Sequence, residues 1–295
     1  MVDEILDLGA RELATLYRAR GVSPVGVTQA ALERIERLNH VVNAFCLVDA
    51  EVAISQARES ERRFMEGTSR GPVEGVPVSI KDVLLTRGWP TLRGSTTVDP
   101  RGPWTEDSPA VARLREQGAV FVGKTTTPEL GWKGVTDSPL TGITTNPWDQ
   151  SRTAGGSSGG SAAALALGMA PLSMGTDGGG SVRIPGGFCG VVGFKATFGR
   201  VPVWPPSPFG TLSHVGPMAR TVTDAALLLG VVSGRDPRDW TALPEAQIDY
   251  PQAIQGGVEG LRMAVASPSA TSTWTQRLQQ PPSEPLPYSR SWARS

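Results

Sequence analysis

Residues 155–161 read GGSSGGS, and after a short alanine-rich segment residues 175–185 read GTDGGGSVRIP. Glycine lets backbone N–H groups converge on one point, and such a concave group of donors can hold an anion. Serines in this setting are candidate nucleophiles, because the same N–H groups can hold the oxyanion that forms after attack. The small residues of 158–169 predict a helix that packs closely against its neighbours and joins the two loops.

A histidine-dependent serine hydrolase is one alternative for these loops. Residues 155–159 satisfy the G-x-S-x-G pattern of a nucleophile elbow, and Asp177 and His214 follow in the order that such a hydrolase requires. An elbow needs a strand directly before the serine, whereas residues 146–153 are polar, contain a proline and predict a loop. His214 stands close to a Gly-Pro pair, which is typical of a hydrogen-bonded turn residue, and His40 sits near the end of a charged helix.

A flexible linker and a phosphate-binding loop are two further alternatives. A linker of glycine and serine would not alternate with the helix-forming residues 162–167 or precede the apolar run 188–194. The chain contains no GxxxxGK[ST] pattern, and the glycines at 178–180 lack the GxGxxG spacing of a nucleotide-binding loop. The sequence therefore favours a catalytic role for these loops.

A lysine offers a base where histidine does not. Lys81 follows the run 76–80, whose β-branched residues predict a short buried strand. Lysine acts as a base only when it is neutral, and burial in a low-dielectric site lowers its pKa toward the working pH. The alternative on this segment alone is an ordinary surface lysine at the end of a strand.

The surrounding segments predict an α/β layered architecture. Hydrophobic spacing with capping residues predicts helices, and β-branched runs bounded by glycine predict strands. The predicted helices are 8–20, 24–38, 50–66, 109–117 and 223–232, and the predicted strands are 76–80 and 119–122. A strand, a helix and a second strand in succession favour parallel pairing in a sheet that is covered by helices.

Several stretches together resemble the amidase signature family. They are VSIKD at 78–82, the two glycine-serine loops, and FCGVVGFK at 188–195. The likeness extends over residues 8–235. It implies an α/β/α layered fold around a mixed central sheet. It also implies a Ser–cis-Ser–Lys triad in which Ser181 is the nucleophile, Ser157 the cis-serine relay and Lys81 the base.

The same resemblance implies further roles around the triad. Backbone N–H groups of the second loop would form the oxyanion hole, with neighbouring side chains in support. The hole residues are Gly178, Gly179 and Gly180, and the supporting residues are Ser158, Asp177 and Arg183. The reaction implied is hydrolysis of a carboxamide to a carboxylate and ammonia or an amine through an acyl-enzyme, without a metal or organic cofactor. In having isoleucine at position 184, the chain resembles the stand-alone hydrolases of the family, because the tRNA-dependent amidotransferase subunits carry glutamine at this position.

The C-terminal part of the sequence departs from the family pattern. Residues 267–295 include 12 serines and prolines among 29 residues and predict disorder. We therefore expect a helical segment at 1–70, a catalytic core at 71–265 and a non-family tail at 266–295. Family members are longer, so the resemblance implies that the C-terminal part of the fold is missing through truncation or a frameshift. An inactive remnant is then the alternative to an active amidase.

Composition limits the partners. The 28 basic and 28 acidic side chains cancel, which argues against a nucleic-acid partner. No run of about 20 apolar residues occurs, so we expect no membrane span and a cytoplasmic protein. Cys46 and Cys189 fit no metal-binding or disulfide pattern and are expected to be buried. We expect a small-molecule amide as substrate and a homodimer as the assembly. Candidate wall residues for an apolar acyl pocket are Trp104, Trp132, Trp148 and Trp204, with ordinary core packing as the alternative.

Overall fold

A computed structural model of the chain describes residues 2–245, 247–257 and 259–260. The chain divides into two units, Met1–Gln255 and Gly256–Ser295, and every α-helix and β-strand of the described residues lies in the first. The predicted tail at 266–295 lies outside the described residues.

Nine α-helices occur in this described part of the chain. They are α1 Val2–Ile5, α2 Ala10–Arg18, α3 Pro24–Val42, α4 Ala50–Glu66, α5 Pro109–Glu116, α6 Gly159–Ala166, α7 Arg183–Cys189, α8 Val222–Val232 and α9 Tyr250–Ala253. At the start of α3, Ser23 Oγ accepts from the Gly26 N–H at 3.2 Å, which pairs one of the donors that a first helical turn leaves unpaired. Among the described helices, none combines the length and the apolar character that a membrane crossing requires.

The strands form one central sheet and two small ribbons. They are β1 Phe45–Val48, β2 Pro77–Lys81, β3 Val120–Thr125, β4 Asp137–Ser138, β5 Gly142–Ile143, β6 Thr145–Asn146, β7 Asp149–Thr153, β8 Leu172–Asp177, β9 Val192–Gly193 and β10 His214–Ala219. The central sheet has the order β1-β3-β2-β8-β10-β9. Strands β3, β2 and β8 are parallel, whereas β1, β10 and β9 pair antiparallel with their neighbours, so the sheet is mixed.

The α/β/α layered fold expected from the sequence is confirmed. Alternate residues of a strand point to opposite faces of the sheet, and helices cover both faces. Val78 and Ile80 of β2 belong to a core shared with α2, α5 and α8 on one face. Val120 and Val122 of β3 belong to a second core, shared with α4 and α6, on the other. The predicted helices and strands are present, with ends shifted by a few residues.

Two central strands and one ribbon depart from the expectations. β8 reads LSMGTD and β10 reads HVGPMA, so glycine and proline interrupt the alternation that marks a strand. Pairing within the sheet overrides this weak local preference. The prediction of a loop over residues 146–153 is wrong, because much of this stretch forms the strand β7. It pairs with β6 outside the central sheet, so it does not form the elbow that a histidine-dependent hydrolase would need.

A buried ion pair fixes α4 to the turn that leads into β2. The Glu74 carboxylate is fully buried and accepts hydrogen bonds from Arg63 Nη2 at 2.8 Å and Ser60 Oγ at 2.6 Å, both on α4. The Arg70 N–H donates to the other carboxylate oxygen at 2.9 Å. Because the turn leads directly into β2, this cluster helps to position Lys81 at the end of that strand.

Replacing Glu74 with glutamine is expected to lower the free energy of unfolding by about 3 kcal/mol, because the buried Arg63 guanidinium loses its buried carboxylate. Chemical denaturation followed by circular dichroism measures the change. Glu66 offers a control, since its ion pair with Arg62 lies on α4 as well but is exposed. Glu66→Gln is expected to cost less than about 1 kcal/mol. Equal losses in the two variants would contradict the role given to Glu74.

Candidate active site

Three segments meet at the carboxyl ends of two neighbouring parallel strands. Lys81 is the last residue of β2, and Thr176 and Asp177 end β8, which pairs in parallel with β2. The loop before α6 carries Ser157, and the loop after β8 carries Ser181. The end of β2 and both glycine-serine loops therefore lie at one edge of the sheet, where α/β proteins commonly bind their ligands.

The Lys81 amine is fully buried beside Ser157. Its Nζ lies 2.6 Å from Ser157 Oγ and 2.9 Å from Thr176 Oγ1, within hydrogen-bond distance of both hydroxyls. Burial lowers the pKa of Lys81 from 10.5 to about 7, and the negative charge of Asp177 opposes this shift. At neutral pH a large fraction of Lys81 is therefore uncharged and able to accept a proton.

The loop that carries Ser157 is held by its neighbours. The Gly156-Ser157 peptide bond is cis. A Cβ at Gly156 would lie 2.5 Å from a backbone carbonyl oxygen, so only glycine fits there. Thr136 fixes both sides of the turn, since its Oγ1 donates to the Gly155 carbonyl at 2.8 Å and accepts from the Gly159 N–H at 3.0 Å.

Asp177 organises the loop that carries Ser181. Its buried carboxylate accepts hydrogen bonds from the Gly180 N–H at 2.7 Å and the Val182 N–H at 3.1 Å. Arg183 donates to both carboxylate oxygens, at 2.9 and 3.0 Å. Burial alone would raise the pKa of Asp177, but these hydrogen bonds and the Arg183 charge outweigh it and hold the pKa at about 2. Asp177 is therefore ionised at every pH at which the protein is expected to work.

The N–H groups of this loop fall into two sets. The Gly180 N–H donates to Asp177, and its one hydrogen is thereby engaged, so we correct the expected oxyanion hole by removing Gly180. Within the described residues, the N–H groups of Gly178, Gly179 and Ser181 meet no acceptor. These three residues also border a cavity, which leaves their N–H groups able to bind an oxyanion.

Ser158 joins the two loops through its backbone and its side chain. Its N–H donates to the Ser181 carbonyl at 3.0 Å. Its Oγ donates to the Thr176 carbonyl at 3.2 Å and accepts from the Thr176 N–H at 3.3 Å. Ser158 therefore connects the Ser157 loop to the end of β8 and to the Ser181 loop, and its hydroxyl is engaged by the backbone.

The cavity at this edge has a volume of about 520 Å³ and opens onto Ser157, Thr176 and Ser181. Much of its remaining wall is apolar. Its apolar side chains include Leu130, Trp132, Ile184, Trp204, Phe209 and Leu212. Such a mixture of apolar wall and a few converging polar groups is typical of a small-molecule site.

Of the four tryptophans proposed for the wall of an acyl pocket, Trp132 and Trp204 border the cavity. The other two are engaged elsewhere. Trp104 Nε1 donates to the Pro100 carbonyl at 2.9 Å, and Trp148 Nε1 donates to the Cys189 carbonyl at 2.8 Å. The sequence cannot separate the two pairs, because all four lie in loops without a periodic pattern.

The His214 imidazole contacts groups other than the serine hydroxyls of the two loops. Its Nδ1 lies 2.8 Å from the Leu212 carbonyl oxygen and 3.2 Å from that of Asp177, so this nitrogen carries the hydrogen. Its Nε2 faces Lys195 Nζ at 3.4 Å. Both ring nitrogens are thus engaged, whereas Ser157 pairs with Lys81. The geometry favours Lys81 as the base.

Two threonines of the site are not predicted from the sequence. Thr176 contacts Lys81, and Thr136 holds the Ser157 loop. Recognition of β8 as a strand would have pointed to Thr176, because its last residues must then lie beside the end of β2. Thr136 is an isolated threonine in a loop, and no pattern in the sequence distinguishes it.

The two cysteines are placed differently from each other. Cys189 is buried as expected, but the expectation that Cys46 is buried is wrong. Cys46 follows the buried Phe45 on β1, and successive residues of a strand point to opposite faces of the sheet. In the part of the chain that the structure describes, no three His, Cys, Asp or Glu side chains are arranged to hold a metal ion.

Relatives of known sequence match most of this chain. A family model described as Amidase matches residues 26–280, past position 265, where the sequence pattern places the end of the core. A glutamyl-tRNA(Gln) amidotransferase subunit of Geobacter sp. (strain M21) is 44% identical over 263 residues, which are 89% of this chain and 54% of the relative. The corresponding subunit of Chloroflexus aurantiacus (strain ATCC 29366 / DSM 635 / J-10-fl) is 42% identical over 249 residues, 84% of this chain and 51% of the relative.

Solved structures agree with the sequence relatives. A bacterial aryl acylamidase of the amidase signature family has a TM-score of 0.76 at 34% identity, over 83% of this chain and 51% of that one. A 6-aminohexanoate cyclic dimer hydrolase complexed with substrate has a TM-score of 0.74 at 35% identity, over 85% and 52%. This chain spans about half the length of the relatives it matches. The family match over residues 26–280 and these neighbours show that the chain belongs to the amidase signature family.

Proposed function

We propose that this chain is an amidase that hydrolyses the C–N bond of a small-molecule carboxamide through an acyl-enzyme on Ser181. The observation that carries the proposal is the contact of 2.6 Å between Ser157 Oγ and Lys81 Nζ, a buried amine whose pKa is about 7. A buried lysine in this state is a base at neutral pH, and it stands beside a serine loop with unpaired N–H donors.

In the first half of the reaction, Ser181 Oγ attacks the carbonyl carbon of the amide. As the new C–O bond forms, the Ser181 proton passes to Ser157 Oγ and the Ser157 proton passes to neutral Lys81. The carbonyl double bond opens and leaves a negative charge on its oxygen. The N–H groups of Gly178, Gly179 and Ser181 stabilise this oxyanion, and loss of one such donor typically costs about 10²–10³ in rate.

In the second half, the proton on Lys81 returns through Ser157 to the nitrogen of the leaving group. The C–N bond then breaks, and ammonia or an amine departs. Water attacks the acyl ester and gives one proton to the same relay. The bond between Ser181 Oγ and the acyl carbon then breaks, the relay returns that proton to Ser181, and the carboxylic acid product loses its remaining proton to solvent. Thr176 supports both halves, because its hydroxyl lies 2.9 Å from Lys81 Nζ and helps to hold the amine in place.

Ammonia release from a panel of simple amides tests the proposal. Turnover that depends on Ser181 and Lys81 would support it. A folded, monodisperse protein that releases ammonia from none of the amides would contradict it and favour the inactive remnant. Light scattering on the same sample tests the homodimer, which stays a prediction.

A second candidate is glutamine hydrolysis as part of an amidotransferase, which the 44% identity to a glutamyl-tRNA(Gln) amidotransferase subunit favours. Ile184 argues against it, since an apolar side chain stands on the cavity wall where such subunits carry glutamine. L-Glutamine in the same panel separates the two. Ammonia release from glutamine well above that from simple amides would support the second candidate.

Replacing Asp177 with asparagine is expected to lower kcat about 10²-fold, because the Ser181 loop loses the carboxylate that holds its backbone. It is also expected to shift the pH profile. The Asp177 charge raises the pKa of Lys81, so removing that charge lowers the Lys81 pKa and moves the midpoint below the wild-type value of about 7. Initial rates from pH 5 to 9 measure both effects. A lower kcat with an unshifted midpoint would reduce Asp177 to a purely structural role.

A further inference from the structure

Arg93 stands on the wall of the active-site cavity without an acidic partner. Its side chain is half-buried, and within residues 2–245 its guanidinium makes neither an ion pair nor a hydrogen bond. Lys133 is the other basic residue among the described residues of the wall, and its Nζ lies 2.5 Å from Asp137 Oδ1. No acidic side chain borders the cavity in the described part of the chain. The guanidinium is thus a cation that lacks a counter-ion inside a largely apolar site.

The backbone on both sides of Arg93 is fixed. The Leu92 and Gly94 N–H groups donate to the two carboxylate oxygens of Asp82, at 3.2 and 3.4 Å. The Arg93 carbonyl accepts from the Leu130 N–H at 2.7 Å, and Arg93 itself has a left-handed backbone with φ of 57°. A non-glycine residue adopts this conformation rarely and needs its surroundings to hold it. The loop therefore fixes the point from which the Arg93 side chain joins the wall of the cavity.

The buried charges next to the Arg93 loop are already paired with each other. Lys124 is fully buried and pairs with Asp82, with 3.3 Å between Nζ and Oδ1. Arg93 is near enough for its charge to lower the pKa of Lys124. The Asp82 oxygens are thus engaged by Lys124 and by the loop backbone, and they form no ion pair with Arg93. An anion that enters the cavity would supply the missing negative charge.

The position of Arg93 relative to the triad fits a bifunctional substrate. The Leu130 N–H donates a hydrogen bond to the Arg93 carbonyl, and Leu130 directly precedes Gly131 in the sequence. A Cβ at Gly131 would lie 3.6 Å from Ser157 Oγ, so this segment connects the Arg93 loop to the relay serine. Arg93 and Ser181 also border the same cavity, so a small molecule bound there can contact both residues.

We propose that Arg93 binds a carboxylate of the substrate, so that this amidase prefers amides which carry a carboxylate at the end remote from the scissile bond. The inference rests on the function proposed above and names its substrate class. A planar guanidinium and a carboxylate form two parallel hydrogen bonds, which gives both charge and orientation. The apolar wall lies between the two polar ends and would contact the methylene chain of such a molecule.

A substrate series tests this specificity. Monoamides of linear dicarboxylic acids (malonamate to adipamate) are compared with neutral amides of equal length, using the wild type and Arg93→Gln. The variant is expected to lower kcat/KM about 10- to 100-fold for the best monoamide and to change kcat/KM for its neutral counterpart by less than about threefold. Lys133→Gln is the matched control, because it removes the other cation of the wall, and it is expected to keep the preference for the monoamide. Equal losses for both substrate classes, or no wild-type preference, would overturn the inference.

Binding to a variant that cannot turn over separates this inference from the proposed function. Calorimetry with Ser181→Ala and the same monoamide is expected to show binding that weakens about 10- to 100-fold when Arg93→Gln is added. Arg93-dependent binding without turnover by the wild type would retain the carboxylate site and reject the amidase. Turnover of neutral amides with binding that ignores Arg93 would reject the carboxylate site and retain the amidase.

Discussion

Ser181→Ala is expected to lower kcat for amide hydrolysis by at least about 10⁴-fold, since the variant has no oxygen to attack the carbonyl carbon. The substrate still meets the same cavity and the same N–H donors, so KM is expected to stay within about threefold. The residual rate would come from water in a site that still binds and polarises the amide. Steady-state ammonia release with the best amide of the panel measures both parameters.

Ser213 provides a matched control for this substitution. It borders the same cavity, and within the described residues its hydroxyl makes no hydrogen bond. Ser213→Ala is expected to keep kcat within about threefold of the wild type. If Ser181→Ala retained more than a tenth of the wild-type kcat, Ser181 would not be the nucleophile.

Lys81→Met is expected to lower kcat by about 10³- to 10⁴-fold, because the relay through Ser157 then has no base at its end. The methionine side chain is apolar and of similar length, so it fills the space without placing an ammonium group in a fully buried site. The melting temperature at pH 7 is therefore expected not to fall. A loss of activity together with unfolding would indicate a structural defect and would leave the base unassigned.

The wild-type pH profile tests whether Lys81 acts in its neutral form. A base must be neutral, and the pKa of Lys81 is lowered to about 7, so kcat/KM is expected to rise with pH through about 7 and to level off above it. Lys81→Arg keeps a positive charge at every accessible pH and is expected to be as inactive as Lys81→Met. Substantial activity in Lys81→Arg, or a wild-type rate that falls as the pH rises through 7, would contradict a neutral lysine base.

Much of the site can be predicted because its residues lie in segments with an unusual composition or pattern. The two glycine-serine loops stand out in composition, and Lys81 directly follows a β-branched run that predicts a short buried strand. Parallel pairing of β2 and β8 then brings the end of that strand to the loops. The sequence therefore indicates which side chains belong together, although their roles stay proposals until the variants are measured.

The remainder of the site depends on contacts that no local pattern encodes. The expectation for the Gly180 N–H is corrected because its acceptor, the Asp177 carboxylate, turns back onto its own loop. Thr136 lies in a different segment from the loop that it holds. Arg93 looks like an ordinary surface arginine in the sequence. Only the fixed loop around Asp82 places it in the cavity.

Covalent labelling with a fluorophosphonate tests the Ser181–Ser157–Lys81 relay directly. In this reaction a serine Oγ–P bond forms, fluoride leaves, and the serine proton goes to the base, so the label reports both the nucleophile and its activation. Peptide mapping by mass spectrometry is expected to find the label on Ser181, with a rate that rises with pH through about 7 and is lost in Lys81→Met. A label on Ser157 or Ser158, or a labelling rate that is unaffected by Lys81→Met, would contradict the proposed Ser181–Ser157–Lys81 relay.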